Sequence, residues 1–68
     1  MNWYKPKDEK FKGWRVTAKK VKVDGGFYMY ESRIYRPGSP MPIIPNMLSD
    51  YKEQAISNGW AWLEEQLK

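Results

Sequence analysis

The chain has 68 residues, a formal net charge of +4, and neither cysteine nor histidine. Without these two residue types it can form no disulfide or thiolate metal site, and it lacks the commonest general base, so we expect no metal or other cofactor. A chain of this length predicts one small domain, residues 1–68, whose core must come from packing of its four Trp, five Tyr and two Phe side chains.

Residues 1–12 precede the predicted hairpin and are expected to form a basic arm. Trp3, Tyr4 and Phe11 are large apolar side chains, which disordered tails rarely carry in such number. Pro6 interrupts the segment, and proline is tolerated at the edge of a sheet. We therefore expect a partly ordered arm, with a short edge strand before Pro6.

Residues 13–36 predict a long β-hairpin. Apolar and polar residues alternate from Trp14 to Lys19, and residues 27–36 are rich in aromatic and β-branched types. Between the two runs lies the sequence Asp-Gly-Gly at 24–26, which is typical of a tight turn because glycine reaches positive φ without a steric clash.

The alternation changes phase within the first strand of this hairpin. Val16 and Ala18 fall on one face, whereas Val21 and Val23 fall on the other if a three-residue turn pairs Val23 with Phe27. A bulge near residues 18–20 would return both sets to one face. Without a bulge, the apolar residues near the turn contact something other than the chain's own core: Val21, Val23, Phe27 and Met29.

Residues 37–48 predict an extended, proline-rich connector, because each proline removes a backbone donor and excludes a helix. Its apolar residues Met41, Ile43 and Ile44 indicate that the connector lies along the core. A linker between sheet and helix is favoured over a peptide ligand for a proline-binding domain.

A C-terminal helix is predicted over about residues 49–67. Ser49 is a suitable N-cap, and Asp50 in the first turn would complement the helix dipole. At 100° per residue, one half of the helix is apolar: Tyr51, Ala55, Ile56, Gly59, Trp60, Trp62, Leu63 and Leu67. Gly59 lies near the middle of this half, where a small residue lets the helix approach the sheet.

The alternative is that the Asn58-Gly59 pair ends one helix and starts another. We favour a single helix because the apolar stripe continues in phase through Gly59. The expected fold class is therefore α+β, with a small antiparallel sheet packed on one C-terminal helix. Its main hairpin is residues 13–36, and a third edge strand can be accommodated.

Catalysis is not expected, and no catalytic residue is assigned. Without histidine and cysteine, acid–base or nucleophilic chemistry would depend on carboxylates, lysine, serine or tyrosine. Glu64 and Glu65 are adjacent on the polar half of the helix and indicate a solvated pair. Gly25-Gly26 lacks the lysine and following helix of a phosphate-binding loop. The sequence therefore favours a non-enzymatic binding protein.

Nucleic acid is the first predicted partner of this protein. Residues 1–36 carry ten basic against four acidic residues, whereas residues 37–68 carry two against four, so positive charge is concentrated in the front half. Lysine and arginine neutralise phosphates, and tyrosine stacks on unpaired bases. The candidate nucleic-acid-binding residues are Arg15, Lys19, Lys20, Lys22, Tyr28, Tyr30, Arg33 and Arg36.

The alternative function is binding to a protein, as a phage- or plasmid-type modulator of a host protein would do. The contact residues would then be Val21, Val23, Phe27 and Met29, because aromatic residues and methionine are enriched in interface cores. Homodimerisation is compatible with either function. No stretch resembles a signal peptide or a membrane span, so we expect a cytoplasmic protein without a membrane partner.

Overall fold

The computed structural model describes residues 8–68. A short 3-10 helix at Glu9–Phe11 precedes four strands and one helix in the following order: β1 (Arg15–Lys22), β2 (Tyr28–Tyr35), β3 (Pro42–Ile43), β4 (Leu48–Ser49) and α1 (Lys52–Gln66). The antiparallel sheet packs against the C-terminal helix, so the predicted α+β class is confirmed.

Strands β1 and β2 form the predicted hairpin with an unbroken register. The ladder runs from Arg15 opposite Tyr35 to Lys22 opposite Tyr28. The Val23 amide donates to the Phe27 carbonyl oxygen at 2.8 Å, which closes a three-residue turn. Gly25 and Gly26 in that turn have φ values of 89° and 82°. Because no residue is inserted into the ladder, the bulge that would have brought the two apolar sets to one face does not form.

Strands β3 and β4 extend the sheet on the edge of β2 that β1 leaves free. Ile43 pairs with Ile34 in β2, and Leu48 pairs with Glu31. The segment predicted as an extended connector thus contributes β3 and the first residue of β4 to the sheet. The edge strand expected before Pro6 lies outside the described residues.

The core lies between α1 and one face of the hairpin. Its buried apolar residues are Phe11, Ile34, Ala55, Ile56, Trp60 and Leu63. Phe11, from the 3-10 helix, meets Trp60 edge to face, with ring centroids 6.0 Å apart and an interplanar angle of 84°. This geometry suits the quadrupoles of two aromatic rings. The helix is continuous through Gly59, which is buried on its apolar side, as the single-helix prediction requires.

The start of α1 differs from the prediction. Tyr51 is the N-cap, without a side-chain capping bond, and Ser49 belongs to β4. Ser49 pairs with Tyr30, and its hydroxyl oxygen accepts a 2.9 Å hydrogen bond from Nδ2 of Asn58. Pairing with β2 therefore places Ser49 in a strand, although the local sequence pattern predicts a helix cap at this position. Asp50 consequently lies before the helix, so its predicted place in the first turn was wrong.

Tyr51 was also wrongly predicted to lie on the apolar side of the helix. Its side chain is 71% exposed, because the residue precedes the first full turn and has an extended backbone. Farther along, Trp62 and Leu67 are half-buried and pack against the core, as the apolar stripe predicts.

Candidate nucleic-acid interface

The two faces of the β1–β2 hairpin have different surroundings. On the helix side, the hydroxyl of Ser32 donates a 2.6 Å hydrogen bond to the carbonyl oxygen of Ala55 in α1. Ala18 is the cross-strand partner of Ser32, and Val16 is the partner of Ile34, so all four point toward the helix. We call this side of the hairpin the helix-side face and the other the open face.

The helix covers only part of the helix-side face. Ser32 and Ile34 in β2 are buried, Tyr30 is half-buried and Tyr28 is exposed, so burial declines steadily toward the turn. The described part of the chain measures 40 × 25 × 20 Å. Its radius of gyration is 12.1 Å, against roughly 10–11 Å for a compact chain of similar length. The turn end of the hairpin therefore projects beyond the helix-covered core.

Four of the predicted site residues come together on this projecting part of the helix-side face. Lys20 pairs with Tyr30, and Lys22 pairs with Tyr28. The ammonium nitrogen of Lys20 lies 4.9 Å from the ring centroid of Tyr28, a cation–π contact across the diagonal of the ladder. Tyr28 nevertheless remains 57% exposed. We call these four residues the lysine–tyrosine surface.

The remaining predicted cations are not part of that surface. Arg15, Lys19 and Arg33 alternate with its residues along the strands and so belong to the open face. Arg36 follows the end of β2 and is exposed. The hairpin thus divides its positive charge between two faces, as the register that pairs Val23 with Phe27 requires.

Arg33 has an acidic partner, Glu31, in its own strand. Its Nη2 atom lies 3.2 Å from Oε1 of Glu31, and its Nε donates to the same oxygen. Lys19 is the cross-strand neighbour of Glu31, but the carboxylate interacts with the arginine two residues farther along β2. The positive charge of Arg33 is therefore compensated, which reduces its value as a phosphate contact.

Arg15 contacts an aromatic ring, Tyr35, that is not among the predicted site residues. Its guanidinium carbon lies 4.7 Å from the ring centroid of Tyr35, its direct cross-strand partner. Its Nη2 also donates a 3.4 Å hydrogen bond to the carbonyl oxygen of Ser39. The register that pairs Val23 with Phe27 would have identified this contact, since it places Arg15 and Tyr35 opposite each other.

The alternative, protein-binding residues form an apolar cluster near the turn on the open face. Val21 pairs with Met29, and the backbone bond between Val23 and Phe27 continues the ladder on the same side. Phe27 is 69% exposed, and the other three are half-buried. A Cβ atom at Gly25 would lie 3.1 Å from Cε2 of Phe27, so the ring lies against the turn. We call these four residues the apolar tip.

Two further findings concern residues 8–68. Their helix is too short and too polar to cross a membrane. Within the same range there is no group of three or more acidic side chains arranged to hold a metal ion.

Comparison of the chain with protein-family models, with curated proteins and with solved structures found no match.

Proposed function

We propose that the protein is a non-enzymatic nucleic-acid-binding protein that uses the lysine–tyrosine surface as its contact. The observation that carries the proposal is the position of Lys20 and Lys22 directly opposite Tyr30 and Tyr28 on a projecting, uncovered part of one sheet face. Lysines neutralise phosphates, and tyrosine rings pack against bases or sugars.

The distribution of acidic residues also supports this proposal. The hairpin carries two acids, Asp24 and Glu31. Asp24 lies in the turn, and Glu31 is on the open face, where it binds Arg33. The paired positions of the helix-side face therefore contain no carboxylate that would repel a phosphate or neutralise Lys20 and Lys22. The cations of the open face add to the long-range attraction without contacting the ligand.

Salt-dependent binding tests this proposal. Labelled DNA and RNA oligonucleotides are titrated with the protein in fluorescence anisotropy, starting at about 50 mM salt. Binding should weaken linearly in a plot of log affinity against log salt, with a slope of about −0.7 to −0.9 per phosphate contact. The Lys20→Glu/Lys22→Glu variant should lose binding while its thermal midpoint stays nearly unchanged, because exposed charges contribute little to folding.

Lys10→Glu/Lys12→Glu is the matched control. It changes the net charge by the same amount, at exposed positions that precede β1 and lie at the opposite end of that strand from the turn. If both double variants lose binding equally, only net charge matters and the lysine–tyrosine surface is not the site. If the unchanged protein binds neither DNA nor RNA, the proposal fails.

Binding to a partner protein is the second candidate function, and the unbroken ladder favours it. Because the register contains no bulge, the apolar tip faces away from the core, and Phe27 is largely exposed at the end of a projecting hairpin. Phenylalanine and methionine are both enriched at the cores of protein interfaces. Sedimentation velocity over a range of concentrations tests the simplest partner, a second copy: a dimer that Phe27→Lys dissociates would identify it.

A further inference from the structure

The lysine–tyrosine surface consists of two parallel rows that come from different strands. Both lysines are in β1 and both tyrosines are in β2, and each lysine is the direct cross-strand partner of a tyrosine. Neighbouring strands are about 4.8 Å apart, and residues two apart along a strand are separated by about 6.6 Å. One row is therefore cationic and the other aromatic, side by side.

We infer that the ligand of this surface is single-stranded nucleic acid, with its phosphates on the lysine row and its bases on the tyrosine row. This inference rests on the proposed function and specifies its substrate class. A single strand has the same two-row arrangement, since its charged backbone lies along one side and its bases project from the other. Alternation of the two residue types within one strand would not give this match.

The exposure of the Tyr28 side chain is the first reason for a single strand. A ring stacks on the flat face of a base, and in a duplex those faces are covered by the neighbouring base pairs. Only an unpaired base can offer its face to a ring that is 57% exposed on an open sheet. Lys20, 4.9 Å from the same ring, is then placed to meet the phosphate of the stacked nucleotide.

The spacing of the two rings is the second reason. The α-carbons of Tyr28 and Tyr30 are separated by about 6.6 Å, whereas consecutive bases in a helical stack rise by about 3.4 Å. The two rings therefore match successive bases only if the strand is extended to about twice its helical rise. Single strands extend in this way, but a duplex does so only at the cost of its stacking.

The start of α1 is the third reason. Tyr30 pairs with Ser49, and the helix begins at Lys52, three residues farther along the chain. A helix with its side chains is about 10–12 Å across, so it rises above the sheet at the inner end of the lysine–tyrosine surface. A narrow strand fits between this obstacle and the turn more readily than a rigid duplex.

A comparison of three probes at one salt concentration tests this inference. The probes are a mixed-sequence single-stranded DNA of about 12 nucleotides, the RNA of the same sequence, and the DNA duplex that contains it. We expect one or both single strands to bind at least about tenfold more tightly than the duplex. Comparison of the DNA strand with the RNA strand shows which of the two nucleic acids the surface binds more tightly.

Variants of exposed rings complete the test. Tyr28→Ser should weaken single-strand binding by about 5- to 150-fold, the range for loss of one base–ring stack. Tyr28→Phe should retain the affinity, because it keeps the ring. Phe27→Ser is the matched control: it removes an even more exposed ring from the same end of the hairpin, but on the open face. Its affinity should equal that of the unchanged protein.

The outcomes separate this inference from the proposed function. Absence of binding to all three probes would overturn both. Duplex binding as tight as single-strand binding, with salt dependence that the Lys20→Glu/Lys22→Glu variant removes, would overturn the single-strand inference alone. Equal effects of Tyr28→Ser and Phe27→Ser would overturn the assignment of bases to the tyrosine row.

Discussion

Gly59 of α1 lies so close to Val16 of β1 that no larger residue fits between them. A Cβ atom built on Gly59 would lie 2.5 Å from Cγ1 of Val16 and 3.7 Å from Cβ of Ser32. Contacts below about 3 Å between carbon atoms are strongly repulsive, since the optimum is about 3.5–4.0 Å. The glycine therefore fixes how closely the helix sits on the hairpin.

Gly59→Ala should lower the free energy of unfolding by about 1–3 kcal/mol through overpacking, although alanine gains about 1 kcal/mol in helix propensity. Gly59→Leu should cost more than about 2 kcal/mol. Urea denaturation monitored by circular dichroism measures both.

The compensating change is Val16→Ala, which removes the atom that the new Cβ would meet. In that background Gly59→Ala should become neutral or stabilising. An equal penalty in both backgrounds would show that the two residues do not touch.

The hydroxyl of Ser32 joins hairpin β1–β2 to α1 through a side-chain hydrogen bond. Its 2.6 Å bond to the Ala55 carbonyl is fully buried. Ser32→Ala should lower the free energy of unfolding by about 0.5–1.5 kcal/mol. Thr17→Ala, at an exposed position on the open face, is the control and should change stability less. The denaturant midpoints of the two variants measure both stability losses. Equal losses would show that the hydrogen bond is not the cause.

Phe11 anchors the 3-10 helix to the core through Trp60. Its side chain is only 2% exposed, so Phe11→Ala should cost about 3–5 kcal/mol. That loss is large for a chain of this size, and Phe11→Leu provides a variant that keeps most of the apolar volume. Phe11→Leu should lose the edge-to-face contribution of about 0.5–1.5 kcal/mol in addition to any packing defect. A double-mutant cycle with Trp60→Leu measures that contribution, and a coupling energy near zero would contradict it.

Glu31→Gln tests how much the charge of the open face contributes to binding of nucleic acid. Loss of the half-buried ion pair with Arg33 should cost less than about 1 kcal/mol. The affinity for nucleic acid should rise by less than about threefold, because the uncompensated charge lies on the other face and salt screens it within a Debye length of ~10 Å. Lys20→Gln should instead weaken binding and reduce the salt slope by about 0.7 for a single strand. A larger gain in affinity from Glu31→Gln would show that the binding site is on the open face.

The hairpin and its register could be predicted from the sequence because their signals are local. Two glycines at positive φ define the turn, and the parity of apolar residues then determines which side chains face each other. Gly59 could be placed for a similar reason, since the helical stripe is in phase on both sides of it. These elements depend on residues that are close in sequence.

The start of the helix could not be predicted in the same way. Ser49 carries a capping signal, but its two partners are distant in sequence. Tyr30, with which it pairs, lies 19 positions before it, and Asn58, its hydrogen-bond partner, lies nine positions after it. The choice of Arg33 as the partner of Glu31 likewise depends on side-chain conformation within β2. For the candidate site, the sequence and the register through Val23 and Phe27 separate Lys20 and Lys22 from Lys19. They do not show how far the helix covers this face, because that depends on how α1 packs on the sheet.

The most direct test of the central claim follows the aromatic rings of the hairpin by NMR during titration with a single-stranded oligonucleotide. Stacking on a base shifts the ring signals of the residue involved, so the Tyr28 and Tyr30 signals should move together with the side-chain signals of Lys20 and Lys22. The ring signals of Phe27, which lies on the opposite face, should not shift. A shift of the Phe27 signals with unchanged tyrosine signals would contradict binding at the lysine–tyrosine surface. So would the absence of any shift in the signals of these three rings.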